Sequence, residues 1–326
     1  MKKYFLSLVA MLIAAVSFAQ STLVATLTHG DEISMYYGAF ALQDAHAAAV
    51  DGDVINLSGG GFLAVNITKA ITLRGTGIND AFPTRIINDF NVKIPASATE
   101  RLSIEGCHIQ NTINVEDTLT NATFIKNSIG HFLCHGLEWN KLSCLFAQCN
   151  IYKVDLGGNS SAQFVNSHVE NFKNNSEKSA TASFGNCIIL PRDGGSNVGY
   201  IKSSQLVNSI LCWTGGDGYP LPKTSTAFNC VAVGEGSHNC FNDVASQQNC
   251  KYAGLDIFQD SDLWKDLTDE AKANYLGNDG TPVGKFGGAL PYDMTPSYPL
   301  ITKMNVANKT TADGKLSVEI EVSSAQ

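Results

Sequence analysis

A six-residue pattern recurs through the middle of this chain and restricts it to very few architectures. Each copy reads as a large apolar residue, two further residues, a small uncharged residue, a spacer and an aliphatic. The copies are Leu73–Ile78, Ile104–Ile109, Phe124–Ile129, Phe146–Ile151, Phe164–Val169, Phe184–Ile189 and Leu206–Leu211. The last six begin at 104, 124, 146, 164, 184 and 206, a period of 18 to 22 residues. A period of this length, built from β-branched and aromatic residues, belongs to stacked solenoids in which each repeat packs only on its neighbours.

In a flat strand the first and fourth residues of the pattern would point to opposite faces. Both can point inward if the backbone turns a corner at the third, which is Gly75, Gly106, Lys126, Gln148, Asn166, Asn186 or Asn208. Glycine and asparagine tolerate left-handed backbone better than other residues. Five of the seven fit that requirement, and Lys126 and Gln148 stand out as misfits. The inward fourth residues are then Thr76, Cys107, Asn127, Cys149, Ser167, Cys187 and Ser209.

On these residues the chain resembles the pectin-lyase-like right-handed parallel β-helices. That family winds three short strands per turn and places asparagine at one tight corner. Phe40–Ile55 is similar to its entry helix, glycine turn and first strand, Ile71–Gly77 to a first full coil, and Gly280–Gly288 to a closing segment of secreted bacterial members. The resemblance spans roughly residues 38 to 290. It implies an all-β solenoid of about eight to nine coils with an N-terminal helical cap and a short C-terminal β-hairpin tail.

Three segments follow. Lys2 and Lys3, the apolar run Phe5–Val16 and Ser17-Phe18-Ala19 read as a signal peptide over residues 1–19. Residues 20–290 form the β-helix with its caps, including an edge strand over 20–38 and a helix over Ala41–Val50. Residues 291–326 hold a proline-rich connector and a hairpin of Ile301–Asn308 with Lys315–Val322. Extra length between 73 and 104 predicts a projecting loop within Asn79–Arg101, and Ser261–Leu276 reads as an amphipathic helix packed on the last coils. The expected address is export, to the extracellular space, cell surface or periplasm. No apolar run is long enough for a transmembrane segment.

Of the 22 Lys and Arg, two lie in the leader, which leaves 20 against 30 Asp and Glu and a formal charge of −10. With no basic stripe, nucleic acid is excluded as a partner. Nine cysteines would usually signal disulfides in an exported chain. Six of them (Cys107, Cys149, Cys187, Cys230, Cys240, Cys250) directly follow Gly, Gln or Asn, so they read as buried free thiols lining the corner. A disulfide among Cys230, Cys240 and Cys250 stays open.

The resemblance brings polysaccharide lyases and glycoside hydrolases into view, but the hydrolase motifs of that fold are absent. Paired carboxylates, which glycoside hydrolysis requires, do not recur at one position of the repeat. Weak catalytic candidates for a lyase are Arg192, Asp193 and Lys202, able to take a proton or neutralise a uronate. No metal site is expected: His131 and His135 lie too far apart along a strand, and His108 and His168 fall three coils apart. Calcium has no motif, and no cofactor is called for. Trp139, Tyr152, Tyr200, Trp213 and Tyr219 fall near connections between coils, where sugar rings could stack on them. The reading is an exported non-catalytic β-helix that binds a polysaccharide or a host or cell-surface glycan, or mediates attachment. The C-terminal tail would be available to a protein partner. The alternatives are a lyase or hydrolase with an atypical site, and a purely structural surface rod.

Overall fold

The computed structural model describes residues 23–326 apart from 79–82, 96, 135–140, 175–179, 192–200, 202, 214–220, 222, 235–239, 263–264, 296–298, 307–313, 316 and 324–326. The described chain is a parallel β-solenoid of about eight turns. One 12-stranded sheet carries the first residue of every repeat, and a second carries the last residue of every repeat from Ile104 onward. In the first sheet Leu73, Ile104, Phe124, Phe146, Phe164, Phe184, Leu206 and Ala227 stand in register, rung on rung. In the second, Ile109, Ile129, Ile151, Val169, Ile189, Leu211 and Ala232 do the same. A further column of Phe90, Ile113, Phe132, Val154 and Phe172 closes the interior.

The corner forms where the repeat demands it. Gly106, Lys126, Gln148, Asn166, Asn186 and Asn208 all have positive φ, between 46° and 66°. Asn229 (φ 50°) and Asn249 (φ 54°) extend the same column by two rungs. The repeat continues past Leu211 with Ala227, Cys230 and Ala232, whose smaller side chains hide it in the sequence. The copy at 73–78 departs instead. Leu73 pairs with Ile104, but the partner of Ile109 is Ile86, not Ile78. The extra residues thus widen one corner. Part of the stretch that was to hold the loop is sheet: Thr84–Ile87 and Phe90–Val92 are strands, and buried Thr84 donates to the Ser58 carbonyl at 2.9 Å, while residues 79–82 lie outside the described residues.

Identical residues in register fill the core with a ring stack. Phe124, Phe146, Phe164 and Phe184 lie 4.8–4.9 Å apart, centroid to centroid, with interplanar angles of 14°, 7° and 10°. That separation is the spacing of the sheet itself. Phe132 and Phe172 meet the stack edge-on from the opposite wall, the geometry ring quadrupoles favour.

The fourth residue of each repeat has a second duty. At the corner some backbone groups turn into the core, away from the sheet ladder, and a buried unpaired group is costly. The side chain of the next rung supplies the partner. Cys107 N donates to Asn127 Oδ1 at 2.9 Å, Cys149 N to Ser167 Oγ at 3.0 Å, and Cys187 N to Ser209 Oγ at 3.0 Å. The same side chains donate to the carbonyls of the preceding rung, Asn127 to Ile104, Cys149 to Phe124, Ser167 to Phe146 and Ser209 to Phe184. A small donor–acceptor is needed there, which is why Cys, Ser and Asn interchange. Thr76 lies outside this ladder and bonds Thr84 instead.

The N-terminal end is covered. Strands Val24–His29 and Glu32–Tyr37 pair antiparallel, and the first of them continues the sheet beside Val54–Leu57. The helix Ala41–Ala48 buries Ala41, Leu42, Ala45 and His46. It ends two residues earlier than the sequence suggests, with Lys69 Nζ donating to the His46 and Ala47 carbonyls at 2.7 and 2.8 Å.

The chain beyond Ala253 returns along the flank. Ile257, Phe258, Leu267, Ala271 and Val283 cover the outward side chains Ile188, Ile210, Val231 and Val233. The expected long helix is only Asp269–Asn274, started by the Thr268 side chain accepting from Ala271 N. Positive φ at Asp260 and Ser261 (55° and 53°) breaks the segment before it. Leu263 and Trp264 lie outside the described residues.

Residues 277–295 then run back down the outside of the corner column. Asn208 bonds Asn278, Asn166 Nδ2 donates to the Lys285 and Gly287 carbonyls, Gln148 to the Pro291 carbonyl, and Lys126 to the Thr295 carbonyl. Asp293 sits 3.5 Å from Lys126 Nζ. The two misfits of the corner are thus the residues that hold the lower half of this strap. Lys285, within the strap, is 1% exposed, its ammonium 5.0 and 4.7 Å from the Phe286 and Tyr292 ring centroids, and burial lowers its pKa to about 8. In the tail, Leu300–Val306 pairs antiparallel with Val318–Ser323.

Candidate functional site

The outer face of the first sheet is built from the residues one and three places before each corner repeat's first residue. Within the strands side chains alternate, which turns those one place before away from the ring stack; those three places before lie near the strand starts and are exposed apart from half-buried Ser143. One place before stand Ser103, Thr123, Leu145, Gln163, Ser183, Gln205 and Thr226. Three places before stand Arg101, Asn121, Ser143, Ser161, Thr181, Ser203 and Thr224. Apart from Leu145 and Arg101, every one is an uncharged hydrogen-bonding residue. Seven rungs at the usual sheet spacing make two parallel columns ~30 Å long.

The face is concave in two places. One cleft of about 550 Å³ is lined by Thr99, Glu100, Arg101, Asn121, Ser143 and Gln163, among others. A second of about 320 Å³ takes in Gln163, Ser161, Thr181, Ser183, Gln205 and Thr226. Gln163 belongs to both, so the two clefts form one groove across the rungs. Beside them, on the corner side, runs a partly buried column of Ile125, Ala147, Val165, Gly185, Val207 and Phe228, apolar except for the gap at Gly185. Serine and threonine hydroxyls donate and accept, and glutamine and asparagine amides present both functions on one group. Such a surface can hydrogen-bond a neutral polyhydroxylated chain and rest its C–H faces on the apolar strip. Among the described residues its lining holds one carboxylate, Glu100.

The second sheet carries charge instead. His131 Nε2 lies 2.9 Å from Asp155 Oδ2, and Lys153 Nζ lies 3.3 Å from the same oxygen. His108 and His168 occupy one column with Ser128 and Asn150 between them, three rungs apart. Burial holds the His168 imidazole down at about 3. Among the described residues no three His, Cys, Asp or Glu side chains gather closely enough to hold a metal ion, and no helix is long and apolar enough to cross a membrane.

Of the aromatic candidates, the two among the described residues do not line this groove. Tyr152 is 61% exposed, on the turn after the second sheet's Ile151. Trp213, expected at the surface, is 6% exposed. Its amide donates to the Val233 carbonyl, which draws it under the next rung. Trp139, Tyr200 and Tyr219 lie outside the described residues, as do Arg192, Asp193 and Lys202. The polar columns escape notice in the sequence because isolated Ser, Thr and Gln residues read as ordinary surface. Aligning the repeats on their first residue would have exposed them.

No protein-family model, curated protein or solved structure matches the chain. The class that fold and groove define is a parallel β-solenoid with a neutral, hydroxyl- and amide-lined face.

Proposed function

We propose that this is an exported, pectin-lyase-like β-helix protein that binds neutral glycan chains along the outer face of its first sheet and does not cleave them. The observation that supports this reading is the pair of uncharged hydrogen-bonding columns meeting at Gln163. A linear polymer matches a site that repeats itself every rung, because each sugar finds the partners its neighbour found. The acidic net charge and the near absence of charge in the groove favour neutral over uronic glycans.

Binding to an array of neutral and acidic glycans, followed by titration of the best ligand, tests the proposal. Replacing Gln163 and Gln205 together with alanine removes two amides from the groove. At about 1 kcal/mol net for each hydrogen bond, affinity should fall by roughly tenfold or more. Binding of no glycan above background, or binding unchanged in the double variant, would overturn it.

A further inference from the structure

The corner ladder orders its cysteines. Read rung by rung it runs Cys107, Asn127, Cys149, Ser167, Cys187, Ser209, Cys230, Cys250. Through most of the column a cysteine alternates with Asn or Ser, so successive thiols stand two rungs apart, ~10 Å, beyond the reach of a disulfide. The alternation fails once, at the last step. Val231 pairs with Lys251 in register and Lys251 N donates to Cys230 O at 2.9 Å, so Cys230 and Cys250 occupy neighbouring rungs. One sheet spacing falls inside the Cα separation that disulfides span. All nine cysteines are free thiols in this structure.

Access distinguishes this pair as well. Cys107, Cys149, Cys187 and Cys230 are fully buried, whereas Cys250 is half-buried. It lines an open cleft of about 860 Å³ together with Asn229, Asn249, Lys251 and the segment around Gly277. There the strap leaves the corner column, and Asn229 and Asn249 face the cleft. The neighbouring Cys230 thiol lowers the pKa of Cys250, while burial raises that of Cys230, whose thiol donates to the Phe228 carbonyl at 3.2 Å. The exposed member is therefore the attacking thiolate and the buried one the resolving thiol. Cys240 is not part of the ladder: it is buried, with Cys212 as its neighbouring thiol.

We propose that Cys250 and Cys230 form a site for thiol–disulfide exchange with a small external disulfide, closing a cross-link between the last two rungs. The Cys250 thiolate attacks one sulfur of the disulfide, forms a mixed disulfide and expels one thiolate. The Cys230 sulfur, losing its proton, then attacks Cys250 Sγ and expels the second. Two protein thiols are oxidised by two electrons, one external disulfide is reduced to two thiols, and the two protein protons pass to them.

The test uses the native full chain incubated with oxidised glutathione, quenched by alkylation and digested without reduction. The expected result is a linked peptide joining Cys230 to Cys250, with the other ladder cysteines alkylated only after denaturation. In Cys230→Ser a glutathione adduct should accumulate on Cys250, and in Cys250→Ser neither product should form. Serine fills the same ladder position at Ser167 and Ser209, so both variants keep the corner's hydrogen bonds. An unmodified Cys250 in the native chain, or an adduct on wild type that never resolves into the cross-link, overturns the proposal.

Discussion

At the N-terminal end a helix and an antiparallel strand pair lie over the first rungs, and Ile55, Leu73 and Ile104 are fully buried. At the other end Ser246–Gln248 is exposed at all three residues, and Lys251 and Tyr252 are exposed on the last strand of the second sheet. The chain after Ala253 could have covered that end. It covers the flank instead, tying rungs 126 to 208 together from outside. A solenoid rung draws its stability from the neighbours above and below it. The contrast therefore predicts a gradient, with the middle strongest, the covered end next and the open end weakest.

The largest effect should come from the ring stack. Phe164 lies between Phe146 and Phe184 and meets Phe172 edge-on. Phe164→Ala leaves a cavity that its in-register neighbours cannot close, at a cost of about 3–5 kcal/mol. Urea unfolding followed by circular dichroism measures it, and a loss below about 1 kcal/mol would mean that the middle rungs are not the strongest part.

Acid should strike the covered end next. Burial, with Lys69 beside it, lowers His46 to about 4, and its Nε2 accepts from Thr68 N at 3.3 Å. A depressed histidine favours the folded state fully above its unfolded pKa of 6.5, and that contribution is lost as pH falls from 6.5 toward 4. The loss should reach at most about 3 kcal/mol. His168 adds to the same acid slope. Exposed His29, raised by its bond to Asp53 at 2.7 Å, acts in the opposite sense. Its contribution is present below 6.5 and lost as pH rises through its folded value. Urea midpoints across this range should show a shallower acid slope for His46→Gln, and an unchanged slope would remove His46 from the account.

Cutting one rung of the corner ladder should cost less. Asn127→Ala leaves Cys107 N and Ile104 O buried without their partner, for about 1–3 kcal/mol. Asn127→Ser should recover part of this, because Ser167 and Ser209 do the same work two and four rungs on. Equal losses for alanine and serine would show that size alone matters at the position.

Much of this was legible in the sequence. A side chain that must face inward at the same place on every turn leaves a period, so the corner at Asn166, Asn186 and Asn208 and the register of the phenylalanines could be read directly. Lys126 and Gln148 looked anomalous because their partners, Thr295 and Pro291, lie 169 and 143 residues away. Nothing local announces such a strap. Over Ser261–Leu276 the helical period was real only from Thr268 onward, since a reversal at Asp260 overrides it. The groove fared worst. Solvent-facing positions such as Thr181 and Ser183 carry no hydrophobic signal, so only their alignment across rungs separates a face from a surface.

The smallest effect belongs to the open end, and it is the sharpest check on the gradient. Tyr252 is 40% exposed and occupies the last place in the column that begins with Phe62, Ile86 and Ile109. Below it stands the Ala232 rung, and beyond it the Phe241 ring, 5.9 Å away, and Asn242, whose Oδ1 accepts from the Tyr252 hydroxyl at 3.4 Å, hold it. Tyr252→Ala should change global stability by no more than about 0.5 kcal/mol, against the several expected at Phe164. Hydrogen exchange on the wild-type chain should agree: amides of 246–253 open with far less free energy than those of 141–172, because the end rung can fray without unstacking its neighbour. If the end rung is protected as strongly as the middle, something else covers it, and the difference between the two ends disappears.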